Sequence, residues 1–188
     1  MGAPEYAEAA ARADDPVVEA LGHGDRRRAL TLCARLYGAP LGRLCMAFLG
    51  VQAEAEEAVQ ETLLAAYEGF AQYRGDGEVR AWLYGIARRI CARRVETRVR
   101  RDRLRLVHDA SDHSPGADAV LAQRRRAERV RLALEQLKPS ERDAVVLRFD
   151  ADLPFRDVAA ACGIDEATAR KRVSRALERL RHTLSDEE

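Results

Sequence analysis

Pro154-Phe155-Arg156-Asp157-Val158-Ala159-Ala160-Ala161-Cys162-Gly163-Ile164-Asp165-Glu166-Ala167-Thr168-Ala169-Arg170-Lys171-Arg172-Val173 is the stretch whose reading decides the fold. Pro154 stands where the first turn of a helix tolerates proline, and the small apolar run behind it reads as a short helix. Gly163 ends that helix, because glycine enters the left-handed conformation without a Cβ penalty. Asp165 or Glu166 then opens a second helix, a carboxylate suiting its positive N-terminal end. Along this second helix Ala169, Val173, Ala176, Leu177 and Leu180 recur at the spacing of one buried face. Arg170, Lys171, Arg172, Arg175 and Arg179 fall mostly on the other face. A short helix, a three-residue glycine turn and a basic helix make a helix-turn-helix, whose second member enters a DNA major groove. An ordinary surface α-hairpin has the same turn, but five cations on one exposed face exceed what solubility requires.

Upstream the pattern stays helical. Leu30, Cys33, Leu36, Tyr37, Leu41, Leu44, Cys45 and Phe48 define a helix from Asp25 to Leu49, which Gly38-Ala39-Pro40 is expected to bend or split. Glu54 to Phe70 is a second amphipathic helix, burying Ala58, Val59, Thr62, Leu63, Ala66, Tyr67 and Phe70. Arg74-Gly75-Asp76-Gly77 is turn chemistry, and a third helix runs from about Val79 to Arg105. The polar segment His108 to Gly116 reads as a flexible linker, and the acidic start of the chain reads as loose. No strand alternation and no internal repeat is visible. The expected architecture is all-α: a loose tail over 1–16, a helical bundle over 17–106, a linker over 107–117 and a helix-turn-helix domain over 118–188.

Composition agrees. Hydrophobic residues make up 47% of 188, aromatics only 5%, and there are 12 Gly and 6 Pro, which excludes most all-β folds. The net charge of +1 conceals a sharp sorting. Gly50 to Phe70 carries five glutamates and no cation, whereas Arg74 to Arg105 carries eleven arginines against four acids. An acidic helix followed by a basic one implies surfaces for two kinds of partner. Only Lys138 and Lys171 are lysines, so the cations are nearly all arginine, which forks onto phosphate and guanine edges. In the basic helix, Leu83, Ile86 and Ala87 beside Trp82 read as core. Arg74, Arg80, Arg88, Arg89, Arg93, Arg94 and Arg98 are too many to bury and suit phosphate or single-strand contacts beside an aromatic.

Catalysis finds no support. His23, His108, His113 and His182 form no ligand grouping except His108-Asp109 with Asp112-His113, which falls in the linker. There is no phosphate-binding glycine loop and no nucleophile motif. No cofactor and no metal is expected. Cys33, Cys45, Cys91 and Cys162 are widely spaced and suit reduced thiols in a cytoplasmic protein. No run approaches a membrane span.

At four places the chain resembles the sigma-70 family of bacterial sigma factors. Glu56-Glu57-Ala58-Val59-Gln60-Glu61-Thr62-Leu63 is similar to the family's D-A/V-E-D-x-x-Q-E-x-F. Arg74-Gly75-Asp76 with Trp82-Leu83-Tyr84-Gly85-Ile86-Ala87-Arg88 resembles F-R-G-D-S-x-F-x-x-W-L-x-x-I-A-x-N. The segment from Leu137 to Phe149 is similar to L-P-x-x-x-R-x-v-x-x-L-R-x, and Asp157 to Ala176 to E-I-A followed by G-I/V-x-x-G-T-V-K-S-R-L-x-R-A. The order and spacing of these blocks, from about Val17 to about Leu184, and the short length point to the extracytoplasmic-function (ECF) group. The family's asparagine falls at Arg89, the acidic or amide residue four positions on at Arg93, its aromatic after the loop at Val79, and its G-T-V triplet at Ala167-Thr168-Ala169.

The resemblance implies an alternative sigma factor with a sigma-2-like and a sigma-4-like domain. It implies that Glu56, Glu57, Gln60 and Glu61 dock on the β′ clamp helices of core RNA polymerase, with the second domain at the β flap. It implies that Arg74, Gly75, Asp76, Trp82, Arg88, Arg89, Arg93 and Arg98 bind and open the −10 element. Thr168, Arg170, Lys171, Arg172, Ser174 and Arg175 would meet the −35 duplex. Among these, Arg170 and Arg172 are the leading guanine readers, while Lys171, Ser174 and Arg175 read bases or hold phosphate. A dedicated anti-sigma factor is the expected regulator. A helix-turn-helix regulator acting without polymerase is the rival, and it would have no need of the acidic helix.

Overall fold

The computed structural model describes residues 15–73, 78–105 and 129–185, with backbone alone for 102–105. The described residues form helices and turns and no strand. In chain order the helices are α1 (Pro16–Gly22), α2 (Arg26–Leu49), α3 (Gln52–Gly69) with a 3-10 turn at Phe70–Gln72, and α4 (Val79–Arg105). After the linker come α5 (helical over 129–136), α6 (Pro139–Phe149), α7 (Phe155–Cys162) and α8 (Glu166–Ser185). The turn expected at Arg74 to Gly77, the linker expected over 107–117 and the expected tail up to residue 14 lie outside the described residues.

The chain is ordered earlier than its acidic composition implies. Asp15, expected in the loose tail, caps α1 by accepting from the Val17 amide at 2.8 Å. Its other oxygen accepts from the Tyr37 hydroxyl at 3.1 Å, which ties α1 to α2. Asp25 caps α2 through the Arg28 amide at 2.9 Å. The expected break at Gly38-Ala39-Pro40 does not occur: α2 is a single helix with Pro40 inside it. Proline removes one ladder bond and crowds the preceding turn. Here Cys33 on one side of it and Leu41, Leu44, Cys45 and Phe48 on the other are all buried in one core. That packing outweighs the local penalty.

Helix α3 contributes Ala55, Ala58, Thr62 and Ala66 to this core, and α4 contributes Leu83, Ala87, Ile90 and Cys91. The buried Thr62 hydroxyl is satisfied by the Ala58 carbonyl at 2.7 Å. Small residues on α3 let the three long helices approach closely, which suits a chain poor in aromatics.

In the second bundle, α6, α7 and α8 pack around Leu147, Leu153, Val158, Ala169, Val173 and Ala176. Gly163 ends α7 at φ 67°, the left-handed conformation expected of it. Asp165 caps α8.

The two bundles also pack on each other, and the buried apolar cluster runs through both. Helix α4 crosses α7 at Gly85, where a Cβ would lie 3.1 Å from the Ala161 carbonyl oxygen. A side chain there would have to push the Ala161 carbonyl back by a few tenths of an ångström.

Candidate nucleic-acid and polymerase interfaces

On α8 the helical spacing separates the basic residues into different surroundings. Lys171, Ser174 and Arg175 are exposed, on the face opposite Ala169, Val173 and Ala176. Arg170 is exposed but engaged: it pairs with Glu166 one turn back and lies over the Phe155 ring, 4.4 Å from its centroid. Arg172 is half-buried and acts electrostatically on Asp143 of α6 and on Cys162. Thr168 closes the N-terminal turn, its amide and hydroxyl both donating to Asp165 at 2.8 and 2.6 Å. Those two bonds hold the Asp165 carboxyl below its ordinary value. The residues expected at the −35 duplex therefore lie on one helix, with Lys171, Ser174 and Arg175 presented outward, Arg170 engaged by Glu166 and Phe155, and Arg172 half-buried.

On α4 the stripe Leu83, Ile86, Ala87 and Ile90 is core, as the periodicity requires. Trp82 is half-buried and stacks between Phe70 and Tyr73, at 5.8 and 5.1 Å between centroids. Beside it, between α3 and α4, opens a cleft of about 620 Å³ whose lining includes Gly69, Gln72, Trp82, Arg88, Arg89 and Arg93. An apolar floor with an aromatic and a guanidinium rim suits a planar base next to phosphate. Arg89 is exposed there, and its own partial burial together with the cations Arg88 and Arg93 makes it a weaker base than an ordinary arginine.

Arg88 lines the same cleft and also reaches across to the second bundle. Its guanidinium bonds the Asp143 carboxylate at 2.7 Å and donates from Nε to the Ala161 carbonyl at 3.3 Å, both across the seam. Both side chains are more than four-fifths buried. Burial pushes the Asp143 carboxyl above its ordinary value, against the pull of Arg88. The arginines of α4 are indeed not buried as a set, and Arg88 is the one among them that pairs across to the second bundle.

The acidic and basic helices also meet. Arg94 donates to Glu57 at 2.9 Å and to Glu61 at 3.1 Å, and Arg93 donates to Glu61 at 3.0 Å. Arg98 lies 3.7 Å from Glu54 and donates to the Leu49 carbonyl at 2.9 Å. The charges sorted so sharply along the sequence thus partly neutralise each other across the α3–α4 contact. The four residues expected to meet polymerase divide accordingly. Glu57 and Glu61 belong to this ladder, whereas Glu56 and Gln60 face a groove of about 1540 Å³ between the bundles. Apolar residues of both bundles line it, among them Met46, Val59, Phe149 and Leu180, with Phe149 59% exposed.

Sequence reasoning missed two seam residues. Arg142 was read only as a motif position, yet it is 8% exposed and donates to the Phe48 and Ala47 carbonyls at the end of α2. Asp143 carried no signal at all. The thiols of Cys33, Cys45 and Cys91 are buried, and burial with the nearby Asp15 carboxylate pushes Cys33 up to about 12, so it is inert at neutral pH. His108 and His113 lie outside the described residues, and no helix among the described residues is long and apolar enough to cross a membrane.

Comparison with known proteins accounts for this layout. Residues 33–101 match the model of sigma-70 region 2, and residues 127–180 match that of sigma-70 region 4. The ECF RNA polymerase sigma factor SigM of Mycobacterium tuberculosis is 31% identical over 92% of this chain and 85% of its own. EcfG of Rhodopseudomonas palustris is 33% identical over 67% of this chain and 68% of its own. Among solved structures, CnrH in complex with the cytosolic domain of CnrY superposes with a TM-score of 0.67 at 22% identity, over 92% of this chain and 96% of that one. Two region models in the right order, on a wholly helical described chain and with full-length relatives of this kind, show that this chain belongs to the extracytoplasmic-function group of the sigma-70 family.

Proposed function

We propose that this chain is an alternative sigma factor that brings core RNA polymerase to promoters with two DNA-reading surfaces. The observation that carries the proposal is the outward face of α8, with Lys171, Ser174 and Arg175 exposed at the start of a recognition helix, in a chain that also has the region 2 bundle. Residues 17–106 form the unit that binds polymerase and opens the −10 element, 118–188 form the −35 unit, and 107–117 link them. Glu56, Glu57, Gln60 and Glu61 offer carboxylates and amides to a basic surface of core. Arg89 and Arg93 hold phosphate around the Trp82 cleft, which takes the displaced single strand, with Arg74, Gly75, Asp76, Arg88 and Arg98 joining as the strand threads past. On the −35 duplex, Thr168, Arg170 and Arg172 sit beside the three exposed readers. The chain performs no catalysis and acts in the cytoplasm, where polymerase is.

An anti-sigma factor is the expected regulator. The groove that holds Met46, Phe149, Leu177 and Leu180 opposite Glu56 and Gln60 suits an amphipathic helix, which would cover polymerase-contact residues as it binds. The CnrH structure is itself a complex with a cytosolic CnrY domain, and RpoE of Bartonella quintana was solved with the anti-sigma factor NepR.

The test is in vitro transcription with core polymerase across the chain's own upstream region. A discrete transcript that appears only when both are present supports the proposal. Promoter-specific binding by the chain alone, with no transcript on adding core, would instead favour the rival regulator.

A further inference from the structure

Helix α2 carries five arginines and no acid. Four of them, Arg26, Arg27, Arg28 and Arg35, lie in its first half, and all four are exposed. Arg27, Thr31 and Arg35 follow one another a turn apart and form one row, with Arg28 beside it. Ala29 and Cys33 turn the other way, into the core. Among the described residues no carboxylate forms an ion pair with any of the four, and the Asp25 carboxylate accepts from the Arg28 amide instead, at 2.9 Å. On α4, by contrast, Arg88, Arg93, Arg94 and Arg98 each have an acid within ion-pair distance. Three of the α2 cations also crowd the first turn, the positive end of the helix, where acids are the favoured residues. Stability gains nothing from that arrangement, and neither the −10 nor the −35 surface uses it.

Helices α2 and α4 run side by side in the same direction. Arg80, at the start of α4, acts on the Tyr37 phenol, the Cys91 thiol hydrogen-bonds with Cys45, and Arg98 donates to the Leu49 carbonyl at 2.9 Å. The stretch of α2 from Arg26 to Leu36 therefore reaches beyond the start of α4, by about 16 Å at the helical rise. Trp82 and its cleft belong to that same half of α4. We propose that the face of α2 bearing Arg27, Arg28 and Arg35 is a second nucleic-acid surface of the first bundle, one that holds phosphates of promoter DNA beyond the Trp82 cleft without reading bases. The inference rests on the proposed function. A guanidinium forks onto phosphate oxygens, and these three break no ion pair within the described residues to do so. Each phosphate they neutralise releases condensed counterions, so the gain in affinity depends on salt and not on sequence. An acidic protein segment offers the same sign of charge, but DNA is the anion that the neighbouring cleft brings to this end of the bundle.

The experiment uses holoenzyme, the full chain with core polymerase, on the chain's own upstream region. The binding constant for that DNA is measured against potassium chloride concentration, for wild type and for a triple variant with Arg27→Ala, Arg28→Ala and Arg35→Ala. Each lost contact should make the slope of log K on log salt shallower by about 0.7 on a single strand or about 0.9 on a duplex, hence by about 2 to 3 in all. Affinity at low salt should fall about tenfold or more, alike for every −10 sequence. Arg35→Ala alone, clear of the helix end, should remove about one such step and guards against the triple variant failing to fold. Capture by immobilised core should be unchanged. The melting temperature should equal or exceed that of wild type, because alanine is the better helix former and the positive end of α2 loses cations. An unchanged salt slope overturns the surface, whether the arginines then prove structural, by a lowered melting temperature, or protein-facing, by weaker capture on core. If wild-type chain plus core gives no transcript, the sigma-factor reading fails and this surface with it; a transcript combined with an unchanged slope removes this surface alone.

Discussion

Lys171, Ser174 and Arg175 stand exposed on α8, while Arg170 is held by Glu166 and Phe155 and Arg172 is half-buried. That division changes the ranking of base readers. Arg170 and Arg172 led on side-chain chemistry alone, but a guanidinium already occupied pays to be released. In a randomised −35 selection, Lys171→Ala and Arg175→Ala should each relax preference at one base pair, at a cost of about 1–3 kcal/mol for a true base contact. Arg172→Ala should weaken all sequences alike. The assignment is lost if Arg172→Ala alone changes the selected motif. Asp165 gives a second residue-scale expectation. Its folded value is depressed by Thr168, so its contribution is present above the ordinary carboxylate range and disappears as pH falls through the lowered value. Asp165→Ala should lower the melting temperature at neutral pH, and the gap from wild type should close in acid. What was legible at this scale was a carboxylate, Asp165 or Glu166, opening the helix at its positive end; the Arg170–Phe155 contact joins two helices and left no trace in local spacing.

At the scale of elements, α3 and α4 were readable almost to the residue, because one apolar stripe repeats along each. The ladder of Glu57 and Glu61 with Arg93 and Arg94 was not, since its partners are 32 to 37 positions apart in the chain. Exposed pairs of this kind contribute about 0–1 kcal/mol each. Glu57→Gln with Glu61→Gln should therefore shift the melting temperature little. The pair Glu56→Lys and Gln60→Lys touches no ladder arginine and should weaken capture by immobilised core polymerase while the fold persists. Unchanged capture by that double variant would remove α3's groove face from the polymerase interface. Pro40 belongs to the same scale. Local chemistry argued for a break there, and burial on both sides of it kept one helix, so a punctuation signal lost to packing.

For the molecule as a whole, two domains were legible from the order of four motifs, and so was their family. Their mutual packing was not. It depends on Gly85 meeting Ala161 and on Arg88 meeting Asp143, contacts that no periodicity encodes and that join positions 55 and more apart. Removing one partner of a buried pair costs about 3–5 kcal/mol where the charge left behind cannot escape. Here opening gives it an escape, so the measured loss for Asp143→Asn should be smaller and should appear as separation of the domains before either unfolds. The end of α2 carries a consequence of its own. The Gly50 amide closes its last turn onto Met46 at 2.8 Å, and the neighbouring carbonyls of Ala47 and Phe48 are capped by Arg142 from the other bundle. When the bundles part, that turn loses its cap and should fray, so the exchange rate of the Gly50 amide with heavy water becomes an internal clock for how often the molecule opens.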